Sequence, residues 1–179
     1  MVDVSVPLLE RGMAPTVADL SVGAHLVEVS AQDGVARAGE PASFVVEITV
    51  TNKRGSPLDD VTVTDRFNEE LDLVFSGTDG QEEAADEVAW MPGESDQGAS
   101  LVWQLGRLDP FASVSLFCGL SAGTDPDKRV AFAKPGFRRL DWGANATAAL
   151  RGSPVRASGE PIGVTIVPST QRAAASSLA

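Results

Sequence analysis

The chain is poor in the residues from which active sites are most often built. Its 179 residues include one cysteine, one histidine and three lysines, Lys53, Lys128 and Lys134. A single cysteine excludes an intrachain disulfide. A single histidine, His25, leaves neither a zinc site nor a Ser-His-Asp hydrolase with an obvious set of parts. No run approaches the roughly 20 apolar residues of a membrane-spanning helix. Residues 1–11 lack the basic start and sustained apolar stretch of a secretory signal. Basic charge is scarce as well: 14 Lys and Arg against 25 Asp and Glu give a net charge of −11. A phosphate-binding surface needs a stripe of Lys and Arg, so nucleic acid is not expected as a direct partner.

What is present is enough apolar material for one core. Hydrophobic residues make up 43% of the chain, which argues against disorder throughout, and the length fits one domain. The pattern is that of strands. In residues 43–51, Phe44, Val46, Ile48 and Val50 fall on one face, while Ser43, Glu47, Thr49 and Thr51 fall on the other, with Val45 alone breaking the alternation. A half-buried antiparallel strand reads this way; a doubly covered parallel strand would be apolar throughout. Val61 and Val63 alternate with Thr62 and Thr64 in the same manner. Residues 53–60 between the two runs contain Gly55 and Pro57 and read as a surface loop. The fold class expected is therefore all-β, an antiparallel β-sandwich.

Further strands are expected at 20–30, 71–75, around 88–90, at 101–105, 114–120, 145–150 and 163–167. Cys118 shares the apolar side of its strand with Val114, Leu116 and Leu120 and reads as core. The domain proper spans residues 18–167. Residues 1–17 form an N-terminal arm of alternating Val and polar residues, suited to adding to a neighbouring sheet, and residues 168–179 form a small, polar C-terminal tail.

The ordered set Ala18-Asp19-Leu20-Ser21-Val22, Ala38-Gly39-Glu40, Ile48-Thr49-Val50-Thr51-Asn52, Val61-Thr62-Val63-Thr64-Asp65, the run from Val102 to Pro110, and Asn145-Ala146-Thr147 resembles the conserved-repeat domain of unknown function of bacterial and archaeal surface proteins. The resemblance covers roughly residues 18–150. It implies an immunoglobulin-like sandwich with a structural or adhesive role. Two departures stand out: Arg66-Phe67-Asn68 replaces the usual Leu-Pro after the Asp, and Phe111 replaces the usual Gly after Pro110. The family usually occurs as tandem repeats, whereas the Val-Thr-Val-Thr-Asn phrase occurs once here. A solitary copy without signal, sorting motif or anchor fits a subunit of a larger particle, such as a virion or phage-like particle decoration or connector protein. The alternative is a cell-surface or adhesive domain. Location follows the same division: particle surface after cytoplasmic synthesis, or extracellular if a leader was removed.

Candidate chemistry is thin. The pairs Asp59-Asp60 and Glu82-Glu83 are adjacent acids on loops, without the convergence that general acid–base work needs. The acidic cluster Asp79, Glu82, Glu83, Asp86 and Glu87 offers oxygen ligands for calcium but lacks the Asp-x-Asp-x-Asp-Gly spacing. None of the three lysines lies in the first strand, where a Lys–Asn isopeptide crosslink would need one. The expectation is a non-enzymatic protein with no cofactor and no metal. One stretch stands apart: residues 132–142 are locally basic and aromatic in an acidic chain. Phe132, Phe137, Arg138, Arg139 and Trp142 are residue types that anchor interfaces. They are the candidate interaction residues, facing an acidic neighbour or another copy of the chain; the opposing reading has Phe137 and Trp142 capping the core.

Overall fold

The computed structural model describes residues 19–78, 81–84, 90–91, 100–122 and 132–169, with 81–84 and 90–91 given by their backbone alone. The expected arm at 1–17, nearly all of the tail and the acidic cluster's side chains lie outside the described residues. Among the described residues twelve strands follow one another: β1 (Leu20–Ser30), β2 (Ser43–Asn52), β3 (Leu58–Arg66), β4 (Asp72–Thr78), β5 (Gln81–Ala84), β6 (Trp90–Met91), β7 (Ser100–Leu108), β8 (Ser113–Ser121), β9 (Gly136–Arg139), β10 (Asn145–Leu150), β11 (Ser153–Ser158) and β12 (Gly163–Ile166). They form an immunoglobulin-like antiparallel sandwich. One sheet has the order β1-β2-β8-β4-β5, the other β11-β10-β3-β7-β6, and β12 with β9 makes a separate two-stranded ribbon.

The alternation read from the sequence sets the core. Phe44, Val46, Ile48 and Val50 of β2 are fully buried, as are Leu116, Cys118 and Leu120 of β8. Val61 and Val63 face them from the other sheet. Each such side chain contributes about 1.5–3 kcal/mol by leaving water. In β1 a bulge between Leu26 and Glu28 inserts one residue, which turns Val27 out to solvent and returns Val29 to the core side.

The connection between β2 and β3 differs from a simple hairpin. The two strands belong to different sheets, because each buries one apolar face and the two faces cover one another across the sandwich. β3 begins at Leu58, so Asp59 and Asp60 lie in its bulged start rather than in a loop. Asn52 closes this end of the sandwich. Its Nδ2 donates to the carbonyls of Ser56 (2.9 Å), Leu108 (3.2 Å) and Asp109 (3.0 Å), while its Oδ1 accepts from the Arg54 N–H at 2.9 Å. One buried amide thus ties the end of β2 to the end of β7 in the opposite sheet. Nearby, Phe111 adopts φ +59°, a conformation that glycine reaches at no steric cost.

Candidate functional site

The β9–β12 ribbon sits at the opposite end of the sandwich from Asn52. Its outer face is set by strand alternation: Phe137 and Arg139 of β9 point out together with Thr165, while Ile166 points inward and is buried. Phe137 is 63% exposed and Trp142, three residues beyond Arg139, is 51% exposed. The Arg139 guanidinium carbon lies 5.1 Å from the centre of the Trp142 ring, a cation–π stack that holds both side chains as one surface. The Arg138 guanidinium turns back onto the edge, donating to the carbonyls of Phe137 (2.7 Å) and Lys134 (3.1 Å). The result is a platform of two exposed aromatics flanked by Arg138, Arg139 and Lys134.

Of the five residues singled out in the sequence, Phe137, Arg139 and Trp142 are exposed here, Arg138 alternates to the other side of β9 and reaches only the edge, and the fifth lies elsewhere. Phe132 is 3% exposed and packs against Phe44, ring centres 6.0 Å apart. It belongs to the core because its backbone is tied to the turn before β2, the Gly39 N–H donating to its carbonyl at 3.1 Å. The reading in which Phe137 and Trp142 cap the core is corrected by the same geometry; Phe132 and Leu140 do the capping.

Phe137 keeps its place through a glycine. An added Cβ on Gly163 would overlap the Phe137 ring and come within 2.8 Å of the Arg138 carbonyl oxygen. Gly163→Ala is accordingly expected to displace Phe137 and destabilise the ribbon by about 1–3 kcal/mol. Thermal unfolding together with the Phe137 ring resonances checks this; an unchanged Phe137 environment refutes it.

Beneath the platform lie two carboxyls that sequence reading passed over. Leu140 and Asp141 are fully buried, and their backbone docks the ribbon onto the end of β3. The Asn68 N–H donates to the Leu140 carbonyl (2.9 Å), Asn68 Nδ2 donates to the Arg139 carbonyl (3.0 Å), and the Trp142 N–H donates to the Arg66 carbonyl (2.9 Å). Asp141 Oδ1 accepts from the N–H groups of Ile162 (2.7 Å) and Gly143 (3.1 Å). At Gly143, φ is +91° and a Cβ would come 2.5 Å from the Gly159 carbonyl oxygen, so only glycine fits the turn that Asp141 closes. Asp65, also fully buried, accepts at Oδ1 from the Arg66 N–H at 2.7 Å. The Oδ2 atoms of Asp65 and Asp141 make no hydrogen bond among the described residues, nor does Trp103 Nε1.

The electrostatics follow from burial. Desolvation first, and then the nearby Asp141 charge, push the Asp65 carboxyl up from an ordinary 3.8 to about 8. Asp141 is raised by desolvation as well, against the pull of its two backbone N–H donors. Burial, then the charges of Asp65 and Asp141, raise the Cys118 thiol, which is inert core. A signal for Asp65 was present in the sequence: alternation from Val61 and Val63 places it inward. No local pattern marks Asp141.

The remaining candidates are dispersed. His25 lies on β1 with Nε2 3.1 Å from Glu47 Oε2 on an exposed face. Asp59 and Asp60 are exposed, with Asp59 3.7 Å from Arg107. Lys53 and Lys134 are exposed, and Lys128 lies outside the described residues. Among the described residues no group of three or more His, Cys, Asp or Glu is placed to hold a metal ion, and no helix is long and apolar enough to cross a membrane.

No protein-family model and no curated protein matches the chain. Solved structures do. The major pilin SpaD of Corynebacterium diphtheriae is similar over 80% of this chain and 35% of its own, at 11% identity and TM-score 0.49. A cohesin module of a family 33 glycoside hydrolase from Clostridium perfringens is similar over 86% of this chain and 100% of its own, at 12% identity and TM-score 0.47. A GH20 exo-β-N-acetylglucosaminidase from Vibrio harveyi is similar over 86% of this chain, at 16% identity and TM-score 0.46, and the chain spans only 20% of that enzyme's length. Likenesses this distant concern the fold alone.

Proposed function

We propose that this protein is a non-catalytic interaction domain that binds an acidic segment of a protein partner on the β9–β12 platform. The observation that carries the reading is the exposed pair Phe137 and Trp142, with Arg139 stacked on the latter, in a chain whose net charge is −11. Interfaces concentrate their energy in Trp, Tyr and Arg at positions that desolvate on contact. A local group of cations attracts an acidic partner, while the acidic remainder of the molecule repels such a partner elsewhere. Of the two settings expected from the sequence we favour a cell-surface or adhesive domain, because the resemblance to the conserved-repeat domain points there. The virion setting has no structural observation behind it.

Titration of the full chain with polyglutamate, monitored by isothermal titration calorimetry, tests the reading. The wild type is expected to bind with an affinity that falls as salt is added. Arg139→Glu and Trp142→Ser, both changes at exposed positions, are each expected to weaken binding at least about tenfold, a loss of about 1.4 kcal/mol. A wild type that ignores polyglutamate, or variants that bind as well as it does, would sink the proposal.

A further inference from the structure

We propose that Asp65 and Asp141 share a single proton between their Oδ2 atoms, and that this shared proton is the latch holding the aromatic ribbon against the end of the sandwich. Register places the two acids together. Asp65 and Phe67 lie on the same inward side of the β3 segment two residues apart, and Phe67 forms a bridge with Asp141, so the carboxyls are diagonal neighbours on one buried face, near enough for the charge of Asp141 to act on Asp65. Each has one oxygen satisfied by backbone N–H groups and one left over. Buried polar atoms are rarely left without partners. A carboxylic acid facing a carboxylate satisfies both leftover oxygens with one O–H donor, whereas two carboxylates satisfy neither and repel.

Among the described residues no buried cation neutralises the pair. Arg66, half-buried, gives Asp65 its backbone N–H. β7 presents Leu101 and Trp103, β8 presents the Cys118 thiol, and the segment before β12 presents the Ile162 N–H. Glu69 and Glu160 on the flanking turns, Arg139 on β9 and Lys134 before it are exposed, with Glu70 and Arg138 half-buried. Among the described residues, no cation is buried.

Loss of the proton to hydroxide forms water and leaves two carboxylates inside the core. Asp141 is the one free to retreat, since it is held by an isolated bridge to Phe67, whereas Asp65 lies within the β3–β7 ladder. Its Oδ1 holds Gly143 and Ile162, so its departure loosens both sides of the ribbon's base and takes Trp142 with it. The latch thus regulates the platform on which the proposed binding depends; the shared proton itself does not rest on that reading.

Carboxyl-carbon NMR of the full chain labelled at aspartate, with the Trp142 indole resonance followed in the same samples, decides the matter. In the wild type one carboxyl of the pair is expected to titrate above neutrality, and the indole is expected to shift with the same midpoint. In Asp65→Asn, whose amide donates to Asp141 without a titrating proton, the indole is expected to stay in place over that range. Both carboxyls titrating in the ordinary acidic range would overturn the shared proton; an indole indifferent to the pair's titration would overturn the latch. The wild-type spectra suffice if the variant does not fold. Failure to bind polyglutamate at neutral pH would count against the docking reading and leave these outcomes unaffected.

Discussion

Stability is expected to fall as the pH rises from about 4 to about 8, the reverse of ordinary acid denaturation. The folded chain holds a proton on Asp65 up to about pH 8, while the unfolded chain releases it near the ordinary 3.8. Wherever the folded state binds more protons than the unfolded one, raising the pH favours unfolding. The stabilisation is therefore complete below about pH 4 and lost progressively as the pH approaches 8, and the rise at Asp141 acts in the same direction. At about 1.4 kcal/mol per unit of displacement, the loss is on the order of a few kcal/mol. Urea unfolding midpoints across this window measure it. Asp65→Asn is expected to flatten the profile and to exceed the wild type in stability on the alkaline side. A wild-type midpoint that climbs with pH would show that the buried carboxyls are ionised in the folded state.

Asn52→Ala is expected to cost about 2–4 kcal/mol, since it strips hydrogen bonds from three carbonyls and one N–H at a buried corner. Asn52→Asp should be at least as damaging despite its matched shape. Its carboxylate would meet the Ser56, Leu108 and Asp109 carbonyl oxygens with no donor, in a position with no exposure. Chemical denaturation of both variants tests the point. An Asp variant close to the wild type would mean that Asn52 fills space rather than stapling the two sheets.

Much of the fold was legible because strand alternation is local. Residues 20–30 and 145–150 match β1 and β10 to the residue, and the inward set of β2 follows from period two alone. β11 is not among the strands expected from the sequence, since Gly152 and Pro154 interrupt any strand pattern there; it lies at a sheet edge, where a proline costs no ladder hydrogen bond. β9 was hidden inside a segment of mixed character, since four residues carry too little periodicity to stand out. The platform was legible in composition but not in membership. Phe132 and Phe137 look alike in sequence, and what covers each decides which is core.

The sequence by itself determined that this is an antiparallel β protein with one core, that Cys118 belongs to that core, and that residues 132–142 concentrate basic and aromatic side chains. These properties depend on residue type and spacing along one segment. Only the tertiary structure decided that β2 and β3 lie in opposite sheets, that Asn52 ties the end of β2 to the end of β7 across the sandwich, and that Asp65 and Asp141 are brought together beneath the ribbon. Such pairings join segments far apart in the chain, and their energies come from burial and from partners that exist only once the sheets have closed on one another.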